Sequence, residues 1–332
     1  MIVYDPPRPR REQNPEQKKK RASGLNENYA REIMELHTLG VNGGYTQKDV
    51  TELAKILTGW TIEQPRRGGG FDFNERVHEP GTKYLLGEKF REDGEKEGQK
   101  AIEMLAKHPS TAKFISRKLA MRFVSDNPPD SLVNRMAEAF KKSDGDIREV
   151  LRTMFKSQEF WAPQSYRAKV KTPLEFVASA LRATNADVQN ALPLIQQLNK
   201  MGMPLYGAQP PTGYSMKAET WVNSAALLDR MNFALALGTG RLPGVIVDQN
   251  VSALSTVAAG KASTDAPAPG MVQALLEGSL LNGDVSKQTH ETIAKQLSDP
   301  QVTGRRLDDS PRPVNVGALA GLILGSPEFQ RR

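Results

Sequence analysis

The spacing of apolar residues is the feature that most narrows the fold. From Leu25 onward, Tyr29, Ile33, Leu36, His37 and Gly40 follow the i, i+4, i+7, i+8, i+11 stripe of one helix face, with Gly40 where a helix stops. Thr46 and Asp49 form a capping pair ahead of Val50, Leu53, Ala54 and Leu57, the buried stripe of a second helix ending at Gly59. The turn from Val41 to Tyr45 joins the two into an αα-hairpin.

The helical rhythm breaks between Trp60 and Phe90. Gly68, Gly69 and Gly70, the alternating Phe71 to Asn74, the Glu79-Pro80-Gly81 turn and Tyr84 to Gly87 predict a long loop with a small β-hairpin, the only strand signal in the chain. Long excursions between helices are disproportionately functional, so a site is expected there first.

Helices then resume. Pro109 opens one that reaches about Val124, with Ile115, Leu119 and Phe123 inward, and Leu132, Val133, Met136 and Phe140 mark the next. Asp146 and Glu149 cap a helix ending near Trp161, and Thr172-Pro173-Leu174-Glu175 is a capping box with proline in first position. Leu194, Ile195 and Leu198 mark a further helix, and Trp221, Leu228 and Met231 a long one after the loop from Met203 to Tyr214. Three more are expected near Met271 to Leu281, Thr289 to Leu297 and Val316 to Leu324. The fold class is therefore mostly α: about ten helices in an irregular, orthogonal bundle, a single helical domain over 25–330, with a flexible loop near 259–270. Ser157-Gln158-Glu159-Phe160 and Ser326-Pro327-Glu328-Phe329, each after an apolar pair, form one internal echo, too short for a repeat.

Composition excludes several functions. The chain lacks cysteine, which rules out disulfides, thiolate metal sites and a cysteine nucleophile. Its most apolar run, Val316 to Leu324, falls far short of the roughly 20 residues that cross a bilayer, and no signal-peptide core follows Met1. The chain as it stands reads as cytoplasmic. The net charge of +7 is unevenly placed: residues 1–22 hold seven basic and three acidic side chains, leaving +3 for the other 310 residues. Residues 1–24 read as a basic disordered leader, and a near-neutral body argues against nucleic acid as a partner.

The candidates for chemistry are few. His37, on the apolar stripe, reads most simply as a core histidine. The functional alternative brings it to His78 of the excursion, with Glu32, Glu35 or Glu79 supplying a carboxylate. His37, His78 and Glu79 would then hold a divalent metal, Zn²⁺ or Fe²⁺, with open positions, while His37, Glu35 and His78 would suffice for metal-free acid/base catalysis. His108, before Pro109, reads as an N-cap. Glu27, Arg31 and Glu35 lie at i, i+4, i+8 and read equally as surface ion pairs or as carboxylates holding a buried Arg31. Tyr45, Trp60 and Tyr214 offer aromatic surface for a ligand. Neither a phosphate loop nor a G-x-S-x-G elbow nor a dinucleotide fingerprint is present.

The run Gly24-Leu25-Asn26-Glu27-Asn28-Tyr29-Ala30-Arg31-Glu32, continuing through His37-Thr38-Leu39-Gly40-Val41 and Gly43-Gly44-Tyr45-Thr46-Gln47 to Leu57-Thr58-Gly59-Trp60, closely resembles the signature of a bacterial family, domain of unknown function 1800. His108 to Ala112, Arg167 to Pro173, Pro210 to Tyr214 and Leu324 to Phe329 match as well, so the resemblance spans nearly everything from Leu25 to Phe329. It implies an uncharacterised activity, further helices upstream often behind an export signal, and a sulfatase-like protein encoded nearby as a partner. A chain starting at Met1-Ile2-Val3-Tyr4 then reads as an amino-terminally truncated member, exported or periplasmic in its full-length form. Two functions are expected in competition: a hydrolase-like enzyme with its site between the Glu27 to His37 helix and the His78 loop, and a non-catalytic helical binding or accessory protein.

Overall fold

The computed structural model describes residues 25–247, 269–298 and 315–332. The expected leader over 1–24, and all but the last two residues of the loop near 259–270, lie outside them. The fold is mostly α, with thirteen α-helices and three two-stranded antiparallel sheets among the described residues. The chain forms two compact units, the first from residues within 1–118 and 133–153, the second from 119–132 and 154–332.

In the first unit, helix α1 (Glu27–Glu32) starts at Asn26, whose side chain accepts from the Tyr29 N–H, and runs straight into a π-helical segment, Ile33–Thr38. That segment overturns the expected stripe. The wider π turn rotates successive side chains out of the 3.6-residue register, so the buried residues are Ala30, Met34 and Leu39, with Met34 and Leu39 five positions apart. His37 is exposed, not in the core. Gly40 ends the segment at φ +81, against the Phe114 ring, which a Cβ would meet at 2.7 Å.

Helix α2 (Gln47–Ile56) carries the expected capping box between Thr46 and Asp49, and buries Val50, Leu53, Ala54, Ile56 and Leu57. The excursion holds two hairpins rather than one. β1 (Trp60–Ile62) pairs with β2 (Phe71–Phe73), and β3 (Lys83–Leu85) with β4 (Glu88–Phe90). The second is fastened to α2 by carboxylates: Glu52 accepts from the Tyr84 N–H and Asp49 from the Leu86 N–H. Helix α3 (Glu95–Lys107) meets the second hairpin through Glu97 on Lys83 and Lys100 over the Phe90 ring, and its Gly98 leaves room for Trp60 of the first, since a Cβ there would fall 2.3 Å from the indole.

Helices α4 (Pro109–Phe123), α5 (Asp130–Lys142) and α6 (Ile147–Phe155) each give residues to both units. His108 caps α4 as expected, its Nδ1 accepting from the Ser110 N–H. The inward face of α4 is Ala112, Ser116, Ala120 and Val124, not Ile115, Leu119 and Phe123: small residues at i, i+4 let neighbours approach closely, and Phe123 is turned out. Helix α5 buries Leu132, Val133, Met136 and Phe140 as its spacing predicts.

The second unit contains α7 (Gln158–Trp161), α8 (Pro173–Ala183), α9 (Leu192–Lys200), α10 (Ser224–Gly238), α11 (Pro269–Leu281), α12 (Lys287–Ser298) and α13 (Val316–Leu324). A third ladder, β5 (Asp187–Val188) with β6 (Val245–Ile246), has no counterpart in the expected fold. The core joins Phe176, Phe233, Leu237, Leu319, Ile323 and Phe329. Helix α10 turns Arg230, Phe233, Ala234 and Leu237 inward and leaves Leu228 exposed, a different face from the expected one. Trp221, though buried, precedes the helix. The two Ser-x-Glu-Phe echoes share one bond, the serine Oγ accepting from the phenylalanine N–H at 3.2 Å in Ser157–Phe160 and 3.3 Å in Ser326–Phe329.

Candidate functional site

His78 lies at the centre of a polar knot inside the excursion. Its Nδ1 stands 2.8 Å from the Thr58 carbonyl, to which it donates. Nε2 stands 3.1 Å from Glu97 Oε1 and 3.2 Å from Lys83 Nζ, so it either donates to the carboxylate or accepts from the ammonium. Lys83 Nζ is 2.9 Å from Glu97 Oε2, and the side chains of His78, Lys83 and Glu97 are only 5%, 2% and 1% exposed. The knot is built by local rules. Glu97 sits in the first turn of α3 and accepts from the Asp93 N–H at 3.0 Å, while the Thr58 hydroxyl accepts from the Glu79 N–H at 2.7 Å and donates to the Lys55 carbonyl. Burial raises the pKa of Glu97, but the Asp93 N–H, Lys83 and His78 outweigh it and hold the carboxyl below its ordinary range.

The signature helix carries a second network. Glu27 accepts from Gln47 Nε2 at 2.8 Å and from the Thr51 hydroxyl at 3.2 Å, and Gln47 Oε1 in turn accepts from Arg31 at 2.5 Å. Arg31 is half-buried and bridged to Glu27 through Gln47, rather than gripped by two carboxylates. Tyr45 donates to Glu35 Oε2 at 3.3 Å, and burial followed by that carboxylate pushes its phenol above 10.0.

These groups do not assemble as one centre. His37 is exposed on the π-helical segment, whereas His78 is buried in its knot, and Glu79 is exposed with its backbone N–H on Thr58. Among the described residues no three of His, Asp and Glu gather where they could hold a metal ion. Glu35 belongs with Tyr45, not with His78. Trp60 packs edge-on to Phe71 at 5.1 Å and over Gly98, and its buried indole N–H meets no acceptor among the described residues. Tyr214 donates to the Pro204 carbonyl at 2.5 Å and lies against Trp221, which closes its own loop.

Two features of the second unit carry no expectation from the sequence. One is a set of cations around Glu175, the capping-box residue of α8. Glu175 Oε2 accepts from the Thr172 N–H at 2.9 Å, and Oε1 lies 2.7 Å from Arg122 and 3.3 Å from Arg332. Burial opposes ionisation of Glu175, and the Thr172 N–H with Arg332 and Arg122 overcomes it, leaving its pKa lowered. Arg230, fully buried, donates from Nη2 to the Lys171 carbonyl at 2.9 Å, while its Nε and Nη1 meet no acceptor among the described residues. Burial takes its pKa to about 10. The Lys171 ammonium sits 4.0 Å from the Phe329 ring centroid, and burial, then Arg167, brings it down to about 8. The capping box and the family-like run Arg167 to Pro173 are the signals here, and neither announces the second duty of Glu175.

The other is an aromatic ladder: Phe123 to Phe155 at 6.1 Å, Phe155 to Phe160 at 5.0 Å, Phe160 to Trp161 at 5.2 Å, all edge-on. Trp161 ends it 74% exposed, held by a 2.7 Å bond from its N–H to the Phe155 carbonyl. Among the described residues, no helix is long and apolar enough to cross a membrane.

The family described as Protein of unknown function (DUF1800) matches residues 10–331, nearly the whole chain, and the protein belongs to it. No curated protein and no solved structure matches the chain.

Proposed function

We propose that this DUF1800 member is a non-catalytic helical binding or accessory protein, with the sulfatase-like protein to which the family resemblance points as its partner. The observation that carries the reading is the state of His78. Both ring nitrogens are engaged by Thr58, Glu97 and Lys83 in an almost fully buried knot, which leaves no lone pair or proton for a substrate. The exposed ladder ending at Trp161 supplies what a binding protein needs, a pre-ordered aromatic surface with little side-chain entropy left to lose.

The test is to mix the purified full chain with the sulfatase-like protein and titrate calorimetrically. A saturable complex is expected, weakened about tenfold by Trp161→Ala, roughly the 1.4 kcal/mol of an aromatic hot spot, and unchanged by His37→Ala. Absence of a complex overturns the reading, as does ester hydrolysis by the chain alone that His37→Ala abolishes.

A further inference from the structure

Arg122 at the end of α4 and Arg332 in the segment after α13 both pair with Glu175, while Lys171 on the approach to α8 and Arg230 in the middle of α10, joined by the bond from Arg230 Nη2 to the Lys171 carbonyl, stand close enough to feel the same carboxylate. Arg167, which also acts on Lys171, is paired with Asp284 at 3.3 Å. Two cations thus pair with Glu175 and two more stand near it, next to the positive end of α8. A buried guanidinium with two idle donors is costly, and an apolar side chain of similar volume would fill the space under Phe176 without that cost. The aromatic rings also restrict the cations: Lys171 is held over Phe329, and the Arg230 guanidinium lies 5.3 Å from the Phe176 centroid. The Nε of Arg332 is a third buried donor without an acceptor among the described residues.

We propose that this cluster binds a small tetrahedral oxyanion, phosphate or sulfate, either free or as the terminal group of a larger ligand. Guanidinium forks match the paired oxygens of such a group, and Lys171 adds a point charge. Arg122, Arg332 and Lys171 keep part of their side chains in solvent, whereas Arg230 is fully buried. The site stands independently of the partner reading above.

The experiment is thermal unfolding of the full chain in increasing sodium phosphate or sulfate against sodium chloride at matched ionic strength. A saturable rise in Tm with the oxyanions beyond that with chloride is expected, and Lys171→Met and Arg230→Met should each raise the apparent Kd about tenfold. An equal rise with chloride, or an undiminished phosphate response in folded variants, overturns the proposal. Should the variants fail to fold, Lys171 is titrated in the ¹⁵N-lysine-labelled wild type. Phosphate must raise its pKa, because an added anion outweighs Arg167, Arg230 and Arg332, and an unmoved titration overturns the site. Phenyl phosphate forms a second arm: tighter binding than inorganic phosphate assigns an ester ligand, and equal or weaker binding assigns the free ion.

Discussion

Lys83 and Glu97 show how a polar residue can be structural in a way its spacing does not announce. Lys83 occupies an inward position of a three-residue strand beside buried Leu85, while the aromatic Tyr84 between them faces solvent. The lysine is tolerated there because Glu97 is fixed as the first-turn carboxylate of α3 and already tied to the Asp93 N–H. Removing one partner of such a pair leaves a buried charge, so Glu97→Gln is expected to cost about 3 kcal/mol at neutral pH. The pH dependence follows from the sign of the shift. The folded pKa of Glu97 lies below its ordinary 4.5, so the stability it contributes is complete above that value and is lost as pH falls through the folded pKa. Urea unfolding from pH 6 to pH 3 should show a steeper acid loss in wild type than in Glu97→Gln, and parallel curves would contradict this role.

Elements were legible wherever their signals are local. The capping boxes at Thr46 and Thr172, the His108 cap and the stripes of α2 and α5 stand as their spacing predicts, because each depends on groups within one or two turns. What failed depended on geometry or on distant partners. A π turn at Ile33–Thr38 leaves no mark in a 3.6-residue pattern, yet it moves His37 into water. The face of α10 is chosen by α13: Gly317 and Gly321 bring the two backbones together, and a Cβ on Gly321 would meet Leu235 Cα at 2.8 Å and the Ala234 carbonyl at 3.0 Å. A periodicity argument on α10 alone has no access to that contact. Gly321→Ala is therefore expected to destabilise the second unit by about 1–3 kcal/mol despite improved helix propensity, seen as a lower denaturation midpoint. An unchanged or higher midpoint would refute the close-packed crossing.

Across the whole molecule, net charge is a poor guide to where charge matters. Over half of the +7 belongs to residues 1–22, and the near-neutral remainder still gathers four cations around Glu175 in the second unit. The candidate site was legible as a list of residue types and not as an arrangement. His78 was singled out by its place in a long excursion, but Lys83 and Glu97, five and nineteen positions away, decide what it does. The two histidines therefore differ in role, His78 fastening the excursion and His37 lying exposed on the π-helical segment. Equilibrium urea unfolding of His78→Ala beside His37→Ala separates them most directly. His78→Ala is expected to lose about 2 kcal/mol by orphaning the Thr58 carbonyl and exposing the Lys83–Glu97 pair, with His37→Ala within about 0.5 kcal/mol of wild type. A His78→Ala protein as stable as wild type, or a His37→Ala protein equally destabilised, would contradict that division.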